Sequence, residues 1–239
     1  MSCVNIRGCR IGEGRPKVIL PIVERTEAAI LEKAAQFSTL LADCVEWRAD
    51  WFEGFQSPAA IARCVQKLRV ALRDKLLLVT FRTKAEGGEQ ALSHKEYLAF
   101  LHLILDTDCA DLLDIEFFTA GADLPKLVEQ AHSAGVAVVC SSHDFAKTPP
   151  RAELVSRMVQ MQQAGADMES IRKATGWHQF ADGKWRFEID DSRMQLRTDA
   201  ADIPNYTTLG ELVDAPELFE AYPDMADLSV TFHLSLIHI

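Results

Sequence analysis

Between residues 17 and 164, short apolar runs alternate five times with amphipathic stretches, and this rhythm limits the possible folds more than any other feature. The runs are KVILPIV (17–23), CVEWRAD (44–50), LLLVTFR (76–82), LLDIEFF (112–118) and VAVVCSSHDF (136–145). Each is followed by a stretch with helical apolar spacing: 26–41, 58–74, 93–105, 123–134 and 150–164. Five to seven β-branched and aliphatic residues followed by ten to sixteen amphipathic ones define a βα unit. The runs are nearly continuous in apolarity rather than alternating, which suits parallel strands covered on both faces. Right-handed repetition of such units gives either a doubly wound sheet or a (β/α)₈ barrel.

Polar residues choose between the two. Ionisable groups recur at the C-terminal ends of the runs: Glu46 and Arg48, Arg82 and Glu86, Asp114 and Glu116, His143 and Asp144. In a barrel those ends meet around one mouth, so the groups converge. No glycine-rich fingerprint follows the first strand, which argues against a dinucleotide-binding sheet. The expected fold is α/β, a partial TIM-type (β/α) barrel of about five of the eight units. A small, unrelated α+β tail is expected to follow it.

The net charge of −10 disfavours nucleic acid and anionic membranes as partners, because both reward clustered Lys and Arg. Runs such as LLLV and VAVVC are too short to span a bilayer, and the N-terminus lacks the apolar stretch of a secretory signal. A cytoplasmic location is expected. Cysteines 3, 9, 44, 64, 109 and 140 show no metal-ligand spacing and read as reduced, mostly buried thiols.

Glu46 and Arg48 share strand parity with Trp47 between them, so both are expected on one side of the sheet. An inward-facing Glu and Arg are costly unless paired or bound to ligand, so a structural ion pair competes with a binding role. His143 follows an apolar strand with Asp144 beside it, a setting that favours acid–base work over a structural histidine. Taken alone, the glycine-rich KAEGGEQ around Glu86 reads as a solvated loop.

The segments VEWRAD (45–50), TFRTKAEGGEQ (80–90), DLLDIEFF (111–118) and VVCSSHDFAKTP (138–149) resemble type I 3-dehydroquinate dehydratases in order and spacing. The resemblance runs from about residue 15 to 168. It implies a shikimate-pathway lyase that removes water from 3-dehydroquinate to give 3-dehydroshikimate. In that chemistry a lysine forms an iminium with the ketone, and a histidine takes the acidified proton before protonating the departing hydroxyl. No metal or cofactor is implied. The resemblance assigns general acid/base catalysis to His143 and its orientation to Glu86. It assigns substrate hydroxyl contacts to Glu46, Arg48 and Arg82, and the family is commonly dimeric.

Three positions depart from the family pattern. Pro21 stands where a substrate-contacting Ser is usual, and Ser142 where Asn, His or Tyr usually precedes the histidine. Ser170 stands where the Schiff-base lysine is expected. Lys173 is the nearest lysine, but its odd offset puts it on the opposite strand parity and it is not expected to substitute.

Composition changes near the same point. Residues 1–169 carry 19 Lys+Arg and 23 Asp+Glu, whereas 170–239 carry 6 and 12 and no cysteine. The expected organisation is a partial barrel over 1–168, a second module over 169–233 and an appended segment over 234–239. The second module resembles a domain of large polyvalent proteins of phages and mobile elements. It offers a Trp-bearing strand (184–189) and a helix bearing Leu209, Leu212, Leu218 and Phe219. The last six residues, LSLIHI, resemble a translated transposase adapter from sequencing libraries. The chain is therefore expected to be a truncated, inactive dehydratase. A non-catalytic binding module of mobile-element origin and a chimeric join without selected function are the alternatives.

Overall fold

The computed structural model describes residues 4–12, 17–144, 149–173, 177–179 and 185–187. It begins with an antiparallel hairpin, β1 (Val4–Ile6) and β2 (Cys9–Ile11), in which Val4 lies opposite Ile11. Arg7 and Gly8 both take positive φ, 48° and 83°, the backbone of a two-residue turn that follows strand twist. The Gly8 N–H donates to Asn5 Oδ1 at 3.1 Å.

The repeating part follows as β3 (Ile19–Ile22), α1 (Glu27–Phe37), β4 (Cys44–Arg48), α2 (Pro58–Leu72), β5 (Leu76–Thr80) and α3 (His94–Asp106). It continues with β6 (Leu112–Glu116), a single turn α4 (Phe117–Ala120), α5 (Leu124–Ser133), β7 (Ala137–Asp144), α6 (Arg151–Gln163) and β8 (Met168–Lys173). Helix starts follow local chemistry. Thr26 and Ser57 each accept a backbone N–H three residues on, and Ser93 forms a reciprocal capping box with Glu96.

Strands β3 to β8 form one parallel six-stranded sheet in chain order. Without a reversal of order, right-handed crossovers place every helix on the same face, as in a (β/α) barrel. Strand alternation then separates two interiors. Val45, Trp47, Leu77, Val79, Leu113, Ile115, Val138 and Cys140 turn outward and pack on buried helix residues such as Leu68 and Leu101. Each such aliphatic side chain, fully buried, contributes about 1.5–3 kcal/mol. Cys44, Leu76, Leu78, Leu112 and Val139 turn inward, where Ile6, Val4, Cys9 and Ile11 of the hairpin pack on them. The hairpin thus covers the strand beginnings and leaves the strand ends to polar residues.

Four features differ from the sequence reading. Helix α1 stops at Phe37 rather than 41, because the Ser38 and Thr39 hydroxyls turn back onto the Ala35 and Gln36 carbonyls. The hairpin was not anticipated. The sequence bounds the partial barrel at 168, yet β8 runs to Lys173, with Ser141 aligned with Ser170 and Asp144 with Lys173. A parallel ladder is closed by backbone hydrogen bonds, so the polar sequence MESIRK can extend it without an apolar run. Beyond it, β9 (Trp177–Gln179) and β10 (Trp185–Phe187) pair antiparallel, the latter inside the anticipated 184–189 strand. The helix expected around Leu209–Phe219 lies outside the described residues.

Candidate active site

The C-terminal strand ends bring Glu46, Arg48, Arg82, Glu86 and His143 together at one end of the sheet, as their spacing predicts. Glu46 and Arg48 sit on β4, with Trp47 between them in the outward core. Arg82 lies two residues beyond β5, Glu86 closes the 3₁₀ turn Lys84–Glu86, and His143 is near the end of β7.

His143 and Glu86 form a tight pair. One carboxylate oxygen, Glu86 Oε2, accepts the His143 backbone N–H at 3.0 Å and lies 3.0 Å from Nδ1. An Nδ1–H donated to that oxygen puts the accepting lone pair of the neutral ring on Nε2. The other oxygen, Oε1, is buried without a partner among the described residues. Burial, then the Glu116 charge, push the Glu86 carboxyl up to about 8, against the opposing pull of Arg82. Burial thus favours the protonated form of this carboxyl.

The turn that carries Glu86 is shaped by two glycines. Gly87 ends it at φ 84°, in the left-handed region. A Cβ at Gly88 would stand 1.9 Å from the Arg82 carbonyl oxygen, so only glycine allows that approach. The solvated-loop reading of KAEGGEQ fails at Glu86, which is 4% exposed, and holds for Lys84, Ala85, Gly87 and Glu89, which are exposed.

Arg82 is the hub. Its guanidinium donates to Glu116 Oε1 at 3.1 Å, Ser141 Oγ at 2.9 Å and Asp114 Oδ2 at 2.9 Å, and lies 3.6 Å from Glu86 Oε2. Ser141 in turn donates to Asp114 Oδ1 at 2.7 Å. Glu116, with no exposed surface, also accepts from the Thr83 N–H and the Thr83 and Thr119 hydroxyls. Its own N–H donates to the Tyr97 hydroxyl at 2.8 Å. Burial pushes Asp114 up, although Arg82 pulls the other way. Burial disfavours the Arg82 cation, but Asp114, Glu116 and Glu86 together hold its pKa above the ordinary arginine value.

Glu46 and Arg48 do not pair with each other. Arg48 makes a two-pronged contact with Asp50, Nε to Oδ1 and Nη2 to Oδ2, both 2.8 Å. Glu46 is 7% exposed and has no hydrogen bond or ion pair among the described residues. The interior ion pair considered from sequence is real for Arg48 but uses a different carboxylate.

Sequence reading flagged Asp114 and Glu116 as polar strand ends without assigning them a part, and it missed Asp50, Thr83, Tyr97 and Ser141. The inward parity of Ser141, two residues before His143, was the available signal. Ser142, the departure beside it, points the other way and accepts from Arg157 Nη1 at 3.2 Å on α6. Among the described residues, no group of three or more His, Cys, Asp or Glu could hold a metal ion. No described helix is long and apolar enough to cross a membrane. A cavity of about 500 Å³ opens at the opposite end of the sheet, lined by Arg7, Arg10, Lys17 and Lys75 with Asp43 and Asp74. It lies away from the imidazole–carboxylate pair.

A chain-ordered parallel sheet with helices on one face, and an imidazole, carboxylates and a guanidinium at its strand ends, defines a (β/α)-barrel protein equipped for proton transfer. The sequence profile of type I 3-dehydroquinase matches residues 18–176, and the chain belongs to that family. The 3-dehydroquinate dehydratase of Bacillus subtilis (strain 168) is 44% identical over 171 residues, 72% of this chain and 67% of that protein. Its Bacillus licheniformis counterpart is 42% identical over 168 residues, 70% of this chain and 66% of that protein. The chain thus spans about two thirds of the length of these relatives. The Enterococcus faecalis 3-dehydroquinate dehydratase structure superposes with a TM-score of 0.68 at 41% identity, covering 70% of each chain. A Clostridium difficile type I enzyme, solved with covalently modified comenic acid, gives 0.69 at 36% identity over 71% of this chain and 67% of that one.

Proposed function

We propose that this chain keeps the proton-transfer half of a 3-dehydroquinate dehydratase site and lacks the covalent half, so that it does not dehydrate 3-dehydroquinate. The observation that carries the reading is the His143–Glu86 contact of 3.0 Å, made beside the Arg82 hub at the strand ends. His143 Nε2 is the base that takes the proton next to the ketone and then returns one to the leaving hydroxyl. Glu86 holds the ring and its tautomer. Glu46, Arg48 and Arg82 supply hydroxyl contacts, of which Glu46, buried without a hydrogen bond or ion pair among the described residues, is the most open to a ligand.

Proton removal next to a ketone at neutral pH needs an electron sink. In the family chemistry that sink is a lysine iminium. On β8 the position aligned with Ser141 holds Ser170, whose hydroxyl cannot condense to an iminium. Lys173 is three positions further along the same strand, on the opposite parity. Losing the nucleophile from a set of groups that act together costs several orders of magnitude in rate.

The test is to incubate the full chain with 3-dehydroquinate, follow the conjugated product, and treat a parallel sample with borohydride for mass spectrometry. The expected result is neither product nor covalent adduct. An adduct mapped to Lys173, or product formation abolished by His143→Gln, would overturn the proposal.

A further inference from the structure

Asp50, like Glu116, is a buried carboxylate that accepts four hydrogen bonds and that the proposed chemistry leaves without a part. It has no exposed surface. Each of its oxygens accepts two hydrogen bonds. Oδ1 takes Arg48 Nε at 2.8 Å and the Arg82 backbone N–H at 3.3 Å. Oδ2 takes Arg48 Nη2 at 2.8 Å and the Glu89 backbone N–H at 3.2 Å.

The two backbone donors matter because of where they stand. Residues 82 and 89 bracket the turn whose 3₁₀ segment, Lys84–Glu86, presents Glu86 to His143. The turn is otherwise tied to itself, by Gly88 N–H to the Thr83 carbonyl at 2.8 Å and Lys84 N–H to the Gln90 carbonyl at 2.7 Å. Those bonds set its shape but not its place over the sheet. Asp50 grips both ends of the turn from the neighbouring strand's exit. The Thr83 contacts to Glu116 hold it from the other side.

We infer that Asp50 is a positioning residue: it docks the 82–89 turn so that the Glu86 carboxylate meets the His143 imidazole, and it aims Arg48 with the same two oxygens. This deepens the proposed dehydratase site and rests on that reading only for the word "site". The docking itself is a property of the free chain. An Asn at 50 keeps the shape but replaces one accepting oxygen with an NH₂ donor, which faces either the Arg48–Arg82 side or the Arg48–Glu89 side. Either orientation sets donor against donor. The turn then lifts, and the imidazole loses its carboxylate neighbour.

The experiment is an NMR titration of the full chain, with the His143 ring signal identified among the seven histidines by its loss in His143→Gln. In Asp50→Asn the midpoint is expected to move by about half a pH unit or more, since losing a hydrogen-bonded carboxyl partner shifts an imidazole on that scale. The His143 amide, which donates to Glu86 Oε2, should exchange faster, while amides within β5 and β6 keep their protection. Glu89→Pro, a change on the turn's exposed side, deletes one of the two backbone donors without touching the carboxylate. It should move the midpoint in the same direction by less, and serves if Asp50→Asn does not fold. A lower thermal midpoint with an unmoved His143 titration would reduce Asp50 to a structural anchor and overturn the inference. An unmoved titration in a folded Glu89→Pro would do the same. Neither readout depends on turnover, so dehydration by this chain would defeat the proposed function and leave this test standing.

Discussion

Glu86 shows how burial converts an ordinary carboxyl into a pH-sensitive group. Its folded pKa of about 8 lies above the usual glutamate value of 4.5, so the folded state binds the proton more tightly than the unfolded chain. The associated stability is fully present below about 4.5 and is lost as pH rises through about 8. Asp114, also raised by burial, contributes with the same sign. Thermal midpoints measured from pH 5 to 9 should therefore fall with pH in the unaltered chain. They should fall less in Glu86→Gln, which presents a neutral group throughout. Equal slopes in the two proteins would show that Glu86 is ionised across the range.

Among elements, the Thr83–Glu89 turn depends most on backbone geometry. The two glycines in it make different demands. Alanine at 87 must adopt φ near 84°, which costs about 1–2 kcal/mol. Alanine at 88 must displace the Arg82 carbonyl from 1.9 Å, and with it the residue that ties three carboxylates together. Gly88→Ala is expected to cost about 3 kcal/mol or more and to free the His143 amide from Glu86. Gly87→Ala should leave that amide protected. Urea unfolding with amide exchange on both variants separates these outcomes, and equal costs would contradict the close approach.

At the scale of the molecule, the sheet formed by the described residues has ends where a closed barrel has none. Among the described residues, β3 pairs only with β4, and β8 only with β7. Unpaired parallel edges invite pairing with another chain. Association that increases with concentration is expected in sedimentation or light scattering, with edge-strand amides gaining protection as the oligomer forms. A monomer over a hundredfold concentration range would show that both edges are already satisfied.

From sequence alone came the βα alternation, the strand ends as the polar end of the sheet, and the shared parity of Glu46 and Arg48. These are local properties: periods of 2 and 3.6 declare themselves within a window of a dozen residues. The resemblance in four blocks likewise pointed to His143, Glu86, Glu46, Arg48 and Arg82, which the structure gathers at one end of the sheet. Tertiary structure decided which charges meet. Arg48 turned to Asp50 rather than Glu46, Arg82 became the centre of Asp114, Glu116 and Ser141, and one residue of an exposed glycine-rich loop, Glu86, turned inward. The hairpin's seat beneath the strands was equally invisible, because its apolar residues are short and ordinary. Contacts between Arg82 and Ser141 span 59 residues of chain, and a hydrogen bond is settled by tenths of an ångström. Periodicity sets the face on which a side chain lies, but a partner is chosen only when separate strands fix their distance and register.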